Sequence, residues 1–211
     1  DAQLSRGLGD VYKRQDLTRF QQQLKGTSSK TRPLPPVDKW NPDFCGDINL
    51  TIALDGRWFY EGSPIGRASL VQLFASVLKR EDDKYFLVTP VEKVGITVED
   101  TPFIVTQWRK EKDDTASGDT YIFTTQTDDI VRLEHSDQLE LRVPPKAIQD
   151  PQATAIPYLR VRTNLWARLH QNAYYQLLEQ AEEQPSKSGT QFTIQSNGVT
   201  FVLGEVDHQS N

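Results

Sequence analysis

The sequence has no methionine and one cysteine, Cys45. A lone cysteine cannot form an intrachain disulfide and cannot build a cysteine-based zinc site. Its three histidines, His135, His170 and His208, are scattered, which argues against a histidine cluster. No metal site, no cofactor and no catalytic residue are therefore predicted.

Long apolar runs and an excess of positive charge are also missing. No uninterrupted apolar stretch approaches the ~18 residues of a membrane-spanning helix, and no secretory leader is recognised. The formal net charge is −5. Because nucleic-acid affinity comes mainly from clustered Lys and Arg, this acidic balance argues against nucleic acid as a partner. We expect a cytoplasmic protein that binds neither nucleic acid nor membrane.

What the sequence does contain suits a folded body. The 211 residues are 36% hydrophobic and 25% charged. Within residues 1–15, the run SRGLGDVYKRQ reads as a translated sequencing adapter, so we treat this segment as foreign to the protein. Residues 16–36 predict a short amphipathic helix followed by a disordered linker rich in Ser, Thr, Lys and Pro.

The predicted N-terminal half spans residues 37–108. Apolar residues alternate over 48–54, and Asp55-Gly56 then predicts a tight turn into a returning strand over 57–61. Apolar spacings of three and four predict a helix over Gly66–Arg80. Further strands are predicted at these positions: Tyr85–Val88, Val94–Val98 and Phe103–Trp108.

The predicted C-terminal half spans residues 109–206, followed by a disordered tail over 207–211. It begins with a mobile charged loop, Arg109–Asp119, and contains a helix over Thr163–Glu182. Its predicted strands are Tyr121–Thr125, Leu139–Val143 and Tyr158–Arg162.

Two stretches of the chain are similar to each other. The run FTIQSNGVTFVLGE, residues 192–205, aligns with LTIALDGRWFYEGS, residues 50–63. The prediction is an α+β fold with two related helix-plus-β-hairpin repeats and a mostly antiparallel sheet. True duplication, convergence of two hairpins, and one domain or two all stay open.

Several longer motifs resemble a known family. They are WNPDFCG, DGRWFYEGSPIGR, LVQLFASVLKRE, YFLVTPVEKVGITVEDTPF and PYLRVRTNLWA, which together span most of residues 36–204. They are similar to the bacterial domain of unknown function 1285 family. The resemblance implies an α+β fold with structural repeats, no established activity, and a link to ligand sensing or signalling.

Four charged residues are the predicted ligand-binding site. Arg160 and Arg162 project with Tyr158 from one face of a strand, where two guanidinium groups form an anion clamp. Arg67 lies at a predicted helix start, where free backbone N–H groups favour anions, and Glu92 is placed to point inward. The alternative for each residue is an ordinary structural ion pair.

These residues lead to the main functional hypothesis, which is a non-enzymatic binding or signalling protein. A small anionic ligand would lie between the two halves, lined by Arg67, Glu92, Arg160 and Arg162. The alternative is a protein–protein interaction scaffold that acts through surface patches and its N-terminal arm. A thiol hydrolase would need an activated Cys45, which we instead predict to be buried and inert. The oligomeric state is left open.

Overall fold

A computed structural model describes residues 17–25, 33–115, 117–149 and 155–207. The adapter segment, residues 26–32 of the predicted linker and residues 208–211 of the predicted tail lie outside the described residues. The chain divides into two compact units. Described residues up to Thr51 and those of Trp58–Thr97 form the first unit, and Ile52–Arg57 with residues from Val98 onward form the second. The predicted division lay instead at 108/109.

The described part of the first unit forms one six-stranded sheet with two helices. The first helix, α1, covers described residues 17–23, and a 3₁₀ turn follows at Val37–Lys39. The other elements are β1 (Phe44–Ile52), β2 (Trp58–Tyr60), β3 (Ser63–Pro64), α2 (Ala68–Ala75), β4 (Leu78–Glu81), β5 (Lys84–Val88) and β6 (Lys93–Val98). The strand order is β3-β2-β1-β6-β5-β4.

The Asp55-Gly56 turn is confirmed. Gly56 has a φ of +84°, and its N–H donates to the Ala53 carbonyl at 2.9 Å. The Asp55 carboxylate accepts from the Arg57 N–H at 3.0 Å, which closes the turn locally. On the strand before it, Leu50 is buried and Asn49 is exposed, as the alternation predicts.

The helix predicted over Gly66–Arg80 is too long. α2 ends at Ala75, where the Ser76 hydroxyl donates to the Leu73 carbonyl at 2.6 Å. The chain then enters β4, in which Leu78 pairs with Leu87 of β5. Pairing with a neighbouring strand satisfies the backbone of β4 and buries Leu78, so this tertiary contact overrides the helical pattern.

The described part of the second unit forms a six-stranded sheet, a three-stranded sheet and one α-helix. Its elements are β7 (Phe103–Glu111), β8 (Thr120–Thr125), β9 (Ile130–Arg132), β10 (Leu139–Arg142), β11 (Ile156–Arg162), β12 (Leu165–Leu169), α3 (Gln171–Leu178), β13 (Glu182–Pro185), β14 (Gly189–Ser196) and β15 (Val199–Asp207), with 3₁₀ turns at Ser136–Gln138 and Lys146–Ile148. The strand orders are β10-β11-β12-β7-β8-β9 and β13-β14-β15. Across the described ranges, every helix is too short or too polar to cross a bilayer.

The helix predicted over Thr163–Glu182 is also wrong at both ends. Thr163 has a φ of +45° in the tight turn between β11 and β12, so the chain reverses instead of continuing as a helix. β12 pairs antiparallel with β11 and parallel with β7. The six-stranded sheets are therefore mixed, not mostly antiparallel as predicted. The loop predicted over Arg109–Asp119 is also shorter in the structure, because Arg109–Glu111 belongs to β7.

The two six-stranded sheets repeat one topology. In each sheet, the first three strands run in chain order from the centre to one edge. The fourth strand lies at the opposite edge, and the fifth and sixth return to the centre. The sixth strand, β6 or β12, therefore pairs with the first, β1 or β7. The hairpins that matched in sequence are not equivalent in this repeat. β1 and β2 lie in a six-stranded sheet, whereas β14 and β15 lie in the three-stranded sheet. The repeated element that the topology shows is therefore the whole six-stranded sheet.

Two hydroxyl groups attach the three-stranded sheet within the second unit. The buried Ser196 hydroxyl accepts from the Tyr121 N–H at 2.9 Å and donates to the Leu133 carbonyl at 2.6 Å. The Tyr174 hydroxyl of α3 donates to the Leu203 carbonyl at 2.8 Å. These bonds satisfy backbone groups that the packed sheets would otherwise leave without partners.

Substitution of Gly56 tests how tightly its turn is held. A Cβ at Gly56 would lie 2.7 Å from Ile104 Cγ1, whereas a Cβ at Gly62, with a similar φ of +79°, would meet nothing within 4 Å. We expect Gly62→Ala to cost ~1 kcal/mol for its backbone conformation alone. Gly56→Ala should cost a further ~1–3 kcal/mol for overpacking. Denaturant unfolding of both variants measures the difference, and equal losses would contradict the close contact.

Tyr174 should make stability fall at alkaline pH. Burial, with a smaller contribution from Tyr175, raises the pKa of Tyr174 to about 12. The unfolded side chain ionises near pH ~10. The stability that the buried, neutral Tyr174 contributes is therefore complete below that pH and is lost as pH rises through the folded pKa. Tyr174→Phe should flatten this part of the pH profile of the free energy of unfolding. Tyr175→Phe, at the half-exposed neighbour, removes only the smaller contribution and should leave most of this pH dependence in place. Urea unfolding at about pH 9 and about pH 11 is the measurement.

Candidate functional site

The four residues predicted to bind a ligand are divided between the two units. Arg67 is the exposed N-cap residue of α2, and Glu92 is buried just before β6. Both belong to the first unit, whereas Arg160 and Arg162 lie in β11 of the second. A ligand site lined by all four residues stays a prediction.

Arg162 is held by its own unit. Its guanidinium lies 2.7 Å from Asp129 Oδ1 and 5.0 Å above the Phe103 ring. Burial lowers the pKa of Arg162, and the charge of Asp129 opposes that shift. The other Asp129 oxygen accepts from the Thr125 hydroxyl at 3.2 Å. Arg162 thus anchors the turn between β8 and β9.

A β-bulge separates the two arginines that were predicted to form a clamp. Arg160 pairs with Trp166 and Arg162 with Leu165, so the register shifts between them. A bulge interrupts the strict alternation of side chains along a strand. The argument that Arg160 and Arg162 share a face does not hold across this irregularity.

Arg160 is more accessible than Arg162. Its Nη2 lies 2.6 Å from Asp137 Oδ2, and the two side chains are 32% and 65% exposed. Exposed ion pairs of this kind contribute only ~0–1 kcal/mol because water screens them. The Arg160 guanidinium can therefore exchange Asp137 for another anion at little cost.

Arg142 of β10 is the arginine that the sequence reasoning missed. Its guanidinium carbon lies 4.3 Å from the Trp166 ring centroid and 5.1 Å from that of Tyr158. Its carboxylate partner is Glu140, which is about half exposed. The cation–π contacts orient Arg142 without neutralising its charge.

Strand pairing places Arg142 and Arg160 on the same face. Glu140 lies opposite Tyr158, and Arg160 lies opposite Trp166. Since directly opposed residues share a face, and residues two apart along a strand do too, Arg142 joins them. We call Arg142, Tyr158, Arg160 and Trp166 the arginine–tryptophan face. The sequence did contain a signal for Arg142, because it alternates with the inward-facing leucines of β10. That β10 pairs with β11 could not be predicted from the local sequence.

A buried ion pair anchors one end of this face. Arg168 pairs with Asp100 and also donates to the Leu54 carbonyl. The Tyr158 hydroxyl donates to Asp100 Oδ2 at 3.0 Å. Burial and the negative charge of Asp100 raise the pKa of Tyr158 above its usual value. Tyr158 thus stays a neutral hydrogen-bond donor with a fixed ring.

Cys45 is exposed, so the prediction that it is buried is wrong. Its thiol donates to the Asp43 carbonyl at 3.3 Å. It lies near the start of β1, ahead of the alternation that buries Leu50 and Ile52, which explains its exposure. Among the residues described by the structure, no three His, Cys, Asp or Glu side chains are grouped so that they could hold a metal ion.

The fold and site define a two-unit α+β protein with a repeated six-stranded sheet. The N-terminal domain model of the domain of unknown function DUF1285 matches residues 35–101, and the C-terminal domain model matches residues 102–203. The chain therefore belongs to the DUF1285 family. A search of curated proteins found no match.

Two solved structures of DUF1285 family proteins are similar to this chain. The protein from Silicibacter pomeroyi DSS-3 is 37% identical, with a TM-score of 0.69, over 87% of this chain and 93% of its own. The protein from Shewanella baltica OS155 is 28% identical, with a TM-score of 0.46, over 62% of this chain and 90% of its own. The first supports the architecture described above.

The buried and the exposed arginine pairs should differ in their contributions to stability. Arg168→Met leaves Asp100 buried without its charge partner, which should cost ~3–5 kcal/mol. Arg160→Met breaks an exposed pair and should cost less than ~1 kcal/mol. Chemical denaturation of the two variants measures both losses, and similar values would contradict the anchoring role of Arg168.

Proposed function

We propose that the protein is a non-enzymatic, cytoplasmic binding protein that takes a small anion on the arginine–tryptophan face of its second unit. The observation that supports this most is the pair of guanidinium groups, Arg142 and Arg160. Both belong to one sheet face, and each is held by an exposed carboxylate. The ligand class is a compact anion with one or two carboxylate or phosphate groups.

The carboxylates of Glu140 and Asp137 stand in for the ligand's own oxygens. Guanidinium groups bind carboxylate and phosphate through two parallel hydrogen bonds, which are stronger than neutral ones. A ligand that replaces both carboxylates regains these bonds, and it releases carboxylate side chains that are already about half exposed or more. Because Trp166 already orients Arg142, little side-chain freedom is lost on binding.

This proposal narrows the site predicted from the sequence. Arg160 is kept and gains Arg142 as its partner. Arg162 is not part of the site and instead holds β11 in place through its contacts with Asp129 and Phe103. Arg67 and Glu92, in the first unit, are not needed for this site. A face that binds an anion and brings no paired acid and base fits a sensing role better than catalysis.

Removal of the two arginines should abolish binding. We would titrate the protein calorimetrically with citrate, inorganic phosphate and adenosine monophosphate, which present these anions on different bodies. Arg142→Gln and Arg160→Gln should each weaken binding about tenfold or more, since a hydrogen bond to a charged group contributes ~1.5–3 kcal/mol. Arg132→Gln is the matched control, because Arg132 is also exposed and paired with carboxylates, Glu111 and Glu134.

Removal of the stand-in carboxylates should act in the opposite direction. Asp137→Asn and Glu140→Gln free the two guanidinium groups, so affinity for the same probe should rise. Glu134→Gln removes one negative charge, as either single substitution does, but at a different place, and it should leave affinity almost unchanged. Failure of all three probes to bind the Asp137→Asn, Glu140→Gln double variant would refute the proposal.

A further inference from the structure

Two lysines of the first unit meet at one carboxylate. Lys93 Nζ lies 3.1 Å from Glu81 Oε2, and Lys79 Nζ lies 3.5 Å from Glu81 Oε1. The two lysine side chains are only 15% and 19% exposed, whereas the Glu81 side chain is 38% exposed. Among the described residues, no other carboxylate lies within 4.0 Å of either ammonium group. Two largely buried positive charges therefore share one negative charge.

Strand pairing places these groups on one face of the sheet. Lys79 of β4 lies opposite Phe86 of β5, and Phe86 lies opposite Gly95 of β6. Residues two apart along a strand share a face, so Glu81 and Lys93 belong to it as well. Lys93 Nζ lies 4.9 Å from the centroid of the Phe86 ring, which supports the lysine side chain on its way to Glu81. We call Lys79, Glu81, Phe86 and Lys93 the lysine face.

An exposed aromatic ring borders the lysine face. Phe44 of β1 is 54% exposed, and its ring meets the buried Phe86 ring edge-on with 5.9 Å between ring centroids. Binding sites for small molecules combine apolar and aromatic surface with a few charged or polar groups. The apolar part of a ligand can therefore pack on Phe44 while its charged part reaches the lysines.

The equivalent strands of the second unit carry a related arrangement. In strand order, β4, β5 and β6 take the places of β10, β11 and β12 in the other six-stranded sheet. Arg142 lies over the Trp166 ring as Lys93 lies over the Phe86 ring, 4.3 Å and 4.9 Å from the ring centroids. The repeated sheet thus places a basic group over an aromatic ring on the same three strands in both units. The chemistry differs, because ammonium groups take the place of guanidinium groups.

We propose that the lysine face binds a small phosphate monoester, with the phosphate group on Lys79 and Lys93 and the apolar body against Phe44. An ammonium group is a compact charge with three N–H donors, and lysine is a common phosphate ligand in proteins. A phosphate monoester carries ~1.5–2 negative charges at pH 7, so it balances two ammonium groups better than one carboxylate does. This site goes beyond the proposed function and uses no residue of the arginine–tryptophan face.

Glu81 keeps the site ready and gives way to the ligand. The hydrogen bond from Lys93, against a smaller opposing effect of burial, lowers the pKa of Glu81, so its carboxylate stays charged at neutral pH. That charge holds both ammonium groups at one point. Because Glu81 is more exposed than the lysines, it can turn into water when a phosphate group arrives. The lysines are already packed, so little side-chain freedom is lost on binding.

Calorimetric titration with phenyl phosphate and with inorganic phosphate tests the site. The Arg142→Gln, Arg160→Gln double variant is the starting protein, so that the arginine–tryptophan face contributes no heat. In it, Lys79→Gln and Lys93→Gln should each weaken binding of phenyl phosphate about tenfold or more, because each removes a charged donor. Lys112→Gln, at an exposed lysine of the second unit, is the control. Binding that is absent, or that survives both lysine substitutions unchanged, would overturn the proposal.

A pair of carboxylate substitutions separates the site from net charge. Glu81→Gln frees both ammonium groups, so affinity for both probes should rise. The Asp47 carboxylate lies over Gly95 on the same face and makes no ion pair with a described residue. Asp47→Asn therefore removes an equal charge without freeing a lysine, and it should raise affinity far less. Equal gains in the two variants would contradict a site built on the two lysines.

A local measurement keeps this site apart from the arginine–tryptophan face. In the unaltered protein, phenyl phosphate should slow the acetylation of Lys79 and Lys93, read by mass spectrometry, and leave Lys112 unchanged. Phe44→Ala should bring the affinity for phenyl phosphate down to that for inorganic phosphate, because only the phenyl body contacts this ring. Lysines that acetylate at the same rate with and without phenyl phosphate would overturn this site, whether or not the arginine–tryptophan face binds anions.

Discussion

The pairing of β12 with β7 is the contact on which the second unit depends. It joins the last strand of the six-stranded sheet to the first and sets Arg168 opposite Ile104. With Arg168 at this register, its backbone N–H reaches Thr101 and its side chain reaches Asp100. Asp100 in turn fixes the Tyr158 hydroxyl. The arginine–tryptophan face is therefore built outward from one long-range strand pair.

Burial divides the charged residues of this unit into two groups. Arg168 and Arg162 lie in ion pairs whose side chains are less than one fifth exposed. Breaking such a pair leaves a desolvated charge, so these residues hold strands and turns in place. Arg142 and Arg160 are about one third exposed and pair with more exposed carboxylates, so these pairs exchange partners more easily. Access to water thus separates arginines that hold strands and turns from arginines whose ion pairs are weak.

Each unit contains an ion pair that links separate elements of that unit. In the second unit, Arg168 and Asp100 connect β12 to the segment before β7. In the first, the largely buried Glu92 carboxylate accepts from Arg19 of α1, beside the contact between the Phe20 and Phe74 rings. Because each pair lies within one unit, either can be removed by substitution without touching the other.

The sequence by itself determined the features that depend only on residues close together in the chain. The Asp55-Gly56 hairpin depends on a local turn and on period-2 alternation, and α1 depends on the spacing of Leu17, Phe20 and Leu24. The motifs were also enough to indicate the family. These signals are short-range, so they survive without knowledge of the rest of the chain.

Only the tertiary structure decided where α2 ends and that Leu165–Leu169 is a strand. It also decided that Arg142, and not Arg162, shares a sheet face with Arg160. β4 and β12 carry apolar spacings compatible with a helix, and they become strands because partners far along the chain or across a turn satisfy their backbones. The bulge after Arg160 is likewise invisible to periodicity. Strand partners and register are set by non-local hydrogen bonds, and no local pattern specifies them.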